Sequence, residues 1–160
     1  MTLVITPELM RKLRVHAETS YPDEGAGLLL GTVDDDTLIV ESILELHNAR
    51  EPGARHNRYL ITAQDMLRAE DEAAQLGMDV LGVFHSHPDH PAQPSNFDRQ
   101  WAMPWFSYLI TSVTSGTTAE MRSWRLAENR GAFSEERIEI NTTAPIPEIK
   151  TSSKGKSAKI

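Results

Sequence analysis

The chain has 160 residues, 39% of them hydrophobic, which is enough for one domain with a buried core and too few for two. It contains no cysteine, so disulfides and thiolate metal ligands are excluded, and any metal site must use histidines and carboxylates. A net charge of -7 argues against a nucleic-acid partner, because such a partner normally requires a basic face.

The N-terminal half predicts a helix followed by a hairpin. The segment from Thr6 to about Ser20 favours a helix, because it begins with a capping threonine and a proline in the first turn. Two strands follow, Glu24 to Val33 and Thr37 to His47, joined by a turn of three aspartates. The polar segment Asn48 to Asn57 predicts a loop, for which solvation is favoured over contact with a substrate.

The middle of the chain predicts a short strand, a helix and a buried strand. Arg58 to Ile61 is the short strand, and Thr62 opens a helix that extends to about Gln75. The apolar run Val80 to Phe84 is the buried strand, and a short helix begins at Ser95. The helical positions expected to face inward are Met66, Leu67, Ala73 and Ala74.

Three further strands are predicted after the short helix: Trp105 to Val113, Ala119 to Leu126, and an edge strand from Phe133 to Asn141. Residues 1–141 therefore form the predicted domain. Residues 142–160 combine prolines with a polar, basic run and predict a disordered tail without activity. The sequence shows no leader-like or membrane-spanning apolar stretch, so we expect a cytoplasmic protein without a membrane partner.

The residues that carry chemistry lie just after the apolar run at Val80. His85 and His87 stand two positions apart in an extended strand, so their side chains share a face and can hold one metal ion. Asp98 is the predicted third ligand, because a helix that begins at Ser95 can direct this first-turn carboxylate back toward the strand end. The competing interpretation is a pair of polar histidines at a sheet rim and an ordinary capped helix.

A metal ion with three protein ligands still needs a separate carboxylate to accept a proton from water. Glu24 is the candidate, because it stands at the head of an apolar strand rich in small residues. Spacing alone leaves four other glutamates open for this role: Glu18, Glu41, Glu45 and Glu51.

The order of these residues resembles the signature of the JAMM (MPN+) metallopeptidases. Glu24 is followed by His85-Ser86-His87, then seven residues, Ser95, two residues and Asp98, and the resemblance covers about Thr6 to Leu126. It implies an α/β fold of the MPN, cytidine-deaminase-like type, with a central mixed sheet flanked by helices. It also implies one zinc ion on the two histidines and Asp98, Glu24 as general base, and Ser95 as the residue that supports the oxyanion.

The resemblance further implies hydrolysis of the amide bond after the C-terminal Gly-Gly of a ubiquitin-like protein. A chain this short is most similar to prokaryotic members that act on ubiquitin-like sulfur carriers, and a homodimer is compatible with the sequence. The short connection from Asp98 to the Trp105 strand leaves no room for the insertions of the eukaryotic deubiquitinases. Two alternatives stay open: a non-catalytic MPN scaffold that binds a ubiquitin-like partner, and a zinc amidase acting on small molecules.

Overall fold

A mixed β-sheet that closes on itself dominates the computed structural model, which describes residues 1–56 and 58–142. Its strands lie in the spatial order β1-β3-β2-β4-β5-β6-β7, and helices pack on both of its faces. The strands are β1 (Thr2–Ile5), β2 (Ala26–Asp34), β3 (Thr37–Leu46), β4 (Asp79–Pro88), β5 (Ser107–Thr114), β6 (Thr117–Leu126) and β7 (Phe133–Ile140). The α-helices are α1 (Pro7–Ser20), α2 (Ala63–Gln75) and α3 (Asn96–Trp101), and a short 3-10 helix spans Pro52–Ala54.

The predicted mixed sheet flanked by helices is therefore confirmed, but its closure was not foreseen. The N-terminal strand β1 pairs in parallel with both β3 and β7, and Leu3 lies between Leu38 and Ile138. The prediction that the last strand is an edge strand is wrong, because β7 has a partner on each side. A strand as short as β1 shows too little alternation to be recognised from sequence.

The capped helices begin where the sequence predicts. Thr6 and Thr62 cap α1 and α2 with their side chains, as expected. In α2 the inward face was partly misassigned, since Leu67 is 60% exposed, whereas Ala69 and Ala73 are buried. The exposed Ala74 was also misassigned. The actual inward positions follow the four-residue spacing of one helix face.

The predicted strand from Arg58 to Ile61 is wrong, because this segment adopts an irregular conformation. The amide of Leu60 donates to the side chain of Asn48 rather than to a neighbouring strand. Residues 143–160 lie outside the described residues, and almost all of the predicted tail falls there.

Two apolar clusters enclose the central strands β2 and β4 from opposite sides. One lies under α1 and contains Leu13, Leu29 and Phe84, and the other lies under α2 and contains Leu28 and Val83. Burial on both faces explains why these strands appear in the sequence as continuous apolar runs.

Close packing at β2 also requires glycine. A Cβ atom on Gly27 would overlap the ring of Phe84 and the carbonyl oxygen of Leu44. Because Gly27 has no side chain, β2 can lie close to both neighbouring strands.

Within residues 1–56 and 58–142, every helix is too short or too polar to cross a bilayer.

Candidate metal centre

His85 and His87 lie at the C-terminal end of β4, which runs between β2 and β5 in the middle of the sheet. Their side chains share one face, their ring centroids are 5.0 Å apart, and both residues are buried. Tyr59 stacks on His85 with a centroid distance of 4.5 Å and fixes the plane of that ring. The end of β4 therefore presents two imidazoles in a restricted, largely dry position.

The first turn of α3 brings a carboxylate to the two imidazoles, as the sequence predicts. Ser95 caps this helix: its Oγ accepts from the amide of Asp98 at 3.0 Å, and its own amide donates to Asp98 Oδ2 at 2.9 Å. This reciprocal capping box fixes the carboxylate. Asp98 Oδ2 lies 3.1 Å from Nε2 of His87, and Oδ1 lies 3.9 Å from Nε2 of His85.

Glu24, two residues before β2, reaches the same place because the antiparallel pairing of β2 with β4 sets Ala26 opposite His85. Its carboxylate is buried, and Oε1 lies 3.7 Å from Nδ1 of His85. Of the glutamates that the sequence left open, Glu18 accepts from the amide of Thr118. The other three are exposed elsewhere: Glu41, Glu45 and Glu51.

Several buried polar atoms of this cluster have no hydrogen-bond partner among the described residues. They are both ring nitrogens of His85 and Oε1 of Glu24. A buried polar atom without a partner costs about 1–3 kcal/mol, so three of them together indicate a group that the polypeptide does not supply. Donor atoms of Glu24, His85 and His87 lie within 4.8 Å of one another, which is close enough for one metal ion.

Hydrogen bonding settles which nitrogen of His87 faces the centre. Nδ1 of His87 lies 2.9 Å from the carbonyl oxygen of Pro91, to which it can donate only as an N–H. In the neutral tautomer with its proton on Nδ1, the lone pair of Nε2 is available to a cation, whereas in the protonated ring Nε2 donates to Asp98. Two imidazoles and carboxylates with these orientations fit a divalent cation.

The charges that lie close together in this cluster shift the pKa values of His87 and Asp98. Burial lowers the pKa of His87, but the hydrogen bond to Asp98 and the charges of Asp98 and Glu24 outweigh it, so the pKa is raised. Burial opposes ionisation of Asp98, yet His85 and His87 hold its pKa well below the usual range. The carboxylates thus stabilise positive charge here, and a bound cation can take the place of a proton.

Asn48 fastens the loop after β3 to the backbone of Glu24. Its Nδ2 donates to the carbonyl oxygens of Glu24 at 3.0 Å and Arg58 at 2.9 Å, and its Oδ1 accepts from the amides of Arg50 and Leu60. The amide of Glu24 donates to the carbonyl oxygen of Arg55 in the same loop. The expectation that Asn48 to Asn57 is solvated is therefore wrong for Asn48, whereas most of the other described residues of the loop are exposed, as expected.

Sequence reasoning missed Asn48 and Tyr59, because nothing in their local pattern marks them as buried. A polar residue directly after a strand is ordinarily solvated. Only the tertiary fold shows that Asn48 is 7% exposed and that Tyr59 covers a histidine of the cluster.

The remaining histidines lie outside the cluster. His90 is exposed, His47 and His56 lie elsewhere on the surface, and His16 is half-buried with its ring edge-on to Phe84. Burial lowers the pKa of His16. His16 therefore packs partly against the core instead of lying fully on the surface.

Two cavities meet at the cluster. An apolar cavity of about 300 Å³ touches Asp98 and is lined mainly by Tyr59, Met66, Trp101 and other apolar side chains. A more polar cavity of about 440 Å³ exposes the catalytic candidates, with Glu24, His87 and Ser95 in its wall. The cluster is thus accessible to a substrate from two directions.

The chain is similar to a known protein family and to several of its members. Residues 6–127 match the model of the prokaryotic homologs of the JAB domain. A "Probable TtuB-protein conjugate cleaving protease" of Thermus thermophilus is 29% identical over 71% of this chain and 74% of its own length. A "Desampylase" of Haloferax volcanii is 30% identical over 69% of this chain and 78% of its own length.

Solved structures share the fold. Protein DSY2949 of Desulfitobacterium hafniense superposes with a TM-score of 0.77 and 30% identity, covering 88% of this chain and 93% of its own. A JAB1/MPN domain protein of Archaeoglobus fulgidus, AF2198, superposes with a TM-score of 0.52 and 19% identity over 87% of this chain and 99% of its own. The predicted MPN fold is therefore confirmed.

We predict that Asn48→Asp destabilises the protein by about 1–3 kcal/mol, because a carboxylate of the same shape cannot donate to the carbonyls of Glu24 and Arg58. Gln64→Glu is the matched control, since it makes the same amide-to-acid change on the exposed surface of α2. Urea denaturation of both variants measures the difference in the free energy of unfolding. Equal stability of the two variants would contradict the clamping role of Asn48.

Proposed function

This chain belongs to the family of prokaryotic homologs of the JAB domain, and we propose that it is a zinc peptidase that hydrolyses the amide bond after the C-terminal Gly-Gly of a ubiquitin-like protein. The observation that carries the proposal is the meeting of His85, His87 and Asp98 beside a second buried carboxylate, Glu24. Three ligands with a separate base are the arrangement of a catalytic rather than a structural metal site.

We assign the metal to His85, His87 and Asp98. Nε2 of each histidine faces a different oxygen of the Asp98 carboxylate, whereas Glu24 lies on the opposite, Nδ1 side of the His85 ring. Donor atoms of Glu24 also lie within 4.8 Å of those of the two histidines. We assign Asp98 as the third ligand and Glu24 to proton transfer, because the Asp98 carboxylate approaches both rings, whereas Glu24 approaches only Nδ1 of His85. When bound, a zinc ion supplies Lewis acidity, which polarises the scissile carbonyl and lowers the pKa of water.

Glu24 is the general base in this proposal. Its Oε1 is buried without a hydrogen-bond partner among the described residues, and Glu24 lines the polar cavity. The carboxylate takes a proton from the attacking water and returns it to the nitrogen of the leaving amine. The hydrogen bonds that hold the Glu24 backbone to the loop at Asn48 and Arg55 keep the carboxylate in position for both transfers.

Ser95 is the proposed donor to the oxyanion. Its Oγ accepts from the amide of Asp98, so the hydroxyl proton remains available for donation. Ser95 also lines the polar cavity that contains Glu24. A donor placed before the reaction stabilises the negative charge that develops on the carbonyl oxygen.

The substrate assignment follows from the family and from the names of the relatives, which describe a conjugate-cleaving protease and a desampylase. We propose a ubiquitin-like protein of the sulfur-carrier or ubiquitin type, with a cytoplasmic location. A diglycine tail suits the site, because a segment without side chains can lie close to backbone in a narrow cleft.

We predict that wild type with zinc cuts a ubiquitin-fold protein extended after Gly-Gly, and that removal of the metal with a chelator abolishes cleavage. Glu24→Gln retains zinc but loses about 10²-fold or more in kcat, because the amide side chain cannot accept the proton. Initial rates and the zinc content of each sample are measured together.

The controls distinguish the remaining alternatives. Zinc-loaded wild type that cuts none of several carriers would contradict the proposal and favour a non-catalytic scaffold. Activity on a small amide but not on the Gly-Gly protein would favour a small-molecule amidase.

We predict that Ser95→Ala lowers kcat by about 10²–10³-fold through loss of the oxyanion donor. Thr62→Ala is the matched control, because Thr62 and Ser95 both cap a helix in a reciprocal capping box. Each variant loses about 1 kcal/mol of stability with its cap. Equal kcat values for the two variants, measured under conditions where both are folded, would show that Ser95 acts only as a cap.

A further inference from the structure

Two arginines lie against the same aromatic ring at the mouth of the site. The guanidinium carbons of Arg50 and Arg58 are 5.2 Å and 4.9 Å from the centroid of Phe97. Among residues 1–56 and 58–142, no carboxylate forms a salt bridge with either of them. Nε of Arg50 is buried without a hydrogen-bond partner. In a protein with a net charge of -7, two cations left unpaired at one place indicate a site for an anion.

The two arginines face different cavities, and Phe97 lines both of them. Arg50 lines the apolar cavity together with Asp98, whereas Arg58 lines the polar cavity together with Glu24. In the proposed reaction Glu24 gives its proton to the leaving amine. Because Glu24 lines the polar cavity, an amine that takes its proton from Glu24 leaves on that side, where Arg58 also lies.

The chemistry of the leaving group determines which anion can reach Arg58. If the amine is the α-amine of an amino acid, a free carboxylate is attached to the neighbouring carbon. If the amine is the side-chain amine of a lysine within a protein, the α-carboxyl group of that lysine is distant. It also forms a peptide bond and carries no charge. A guanidinium held by an aromatic ring presents its planar fork with little loss of freedom and pairs with a carboxylate through two hydrogen bonds.

We propose that Arg58 binds the α-carboxylate of the leaving amino acid and thereby makes the enzyme prefer a substrate with a free carboxylate one residue after the Gly-Gly. The inference rests on the proposed function and specifies the leaving side of its substrate. Arg58 is exposed to solvent, so an incoming carboxylate can reach it.

The test compares two substrates that differ only in one terminal group. A ubiquitin-fold protein ending in Gly-Gly-Ala is prepared with a free C-terminal carboxylate and with a C-terminal carboxamide. We expect wild type to show a kcat/KM about tenfold higher for the carboxylate, the size of one charge-assisted interaction. Arg58→Gln should lower kcat/KM for the carboxylate to the value for the carboxamide and leave the carboxamide nearly unchanged, and Arg58→Lys should restore part of the preference.

Arg68→Gln is the matched control, because Arg68 is exposed on α2 and lines neither cavity. This variant should keep the full preference for the carboxylate. Equal cleavage of both substrates by wild type would overturn the inference alone, as would an Arg58→Gln variant that slows both substrates equally. A wild type that cuts neither substrate would overturn the proposed function, and the inference would fall with it.

Discussion

The antiparallel pairing of β2 with β4 is the constraint on which the site depends. It sets Ala26 opposite His85, and the amide of Gly25 donates to Ser86 Oγ at 2.8 Å while the amide of Ser86 donates back to the carbonyl of Gly25. The side chains of Glu24 and the two histidines are thereby held together at the end of a doubly buried pair of strands. Within the part of the chain that the structure describes, their convergence leaves buried polar atoms without protein partners, a cost that a bound cation would offset.

Ser95 and Asp98 depend for their positions on α3, a helix that is only six residues long. Such a helix gains little stability from its own hydrogen bonds, so its capping box largely determines where it begins. The same box orients the carboxylate of Asp98 and leaves the proton of the Ser95 hydroxyl free. The capping box therefore stabilises the start of α3 and, in our proposal, also positions the metal ligand Asp98 and the oxyanion donor Ser95.

The sequence was most informative where short-range rules operate. Histidines two apart in a strand, a capping serine and a first-turn aspartate predicted the arrangement that the structure contains, because each relation spans only a few residues. Long-range features were missed: the partners that β7 finds in β1, and the hydrogen bonds by which Asn48 reaches Glu24. Neither leaves a local pattern, since both depend on how the sheet closes and on where the chain returns. In α2 the predicted face is rotated slightly from the true one, since Ala69 and Ala73 are buried while Leu67 is 60% exposed.

In our proposal Asp98 completes the metal site and Glu24 stays outside it. Zinc titration of metal-free wild type, Glu24→Gln and Asp98→Asn tests this claim most directly, because binding is measured without any substrate. We expect Glu24→Gln to bind about one zinc ion per chain with nearly wild-type affinity. We expect the affinity to be weakened by more than about tenfold for Asp98→Asn, since even loss of an outer-shell partner costs that much. Loss of zinc in Glu24→Gln together with retention in Asp98→Asn would contradict the account.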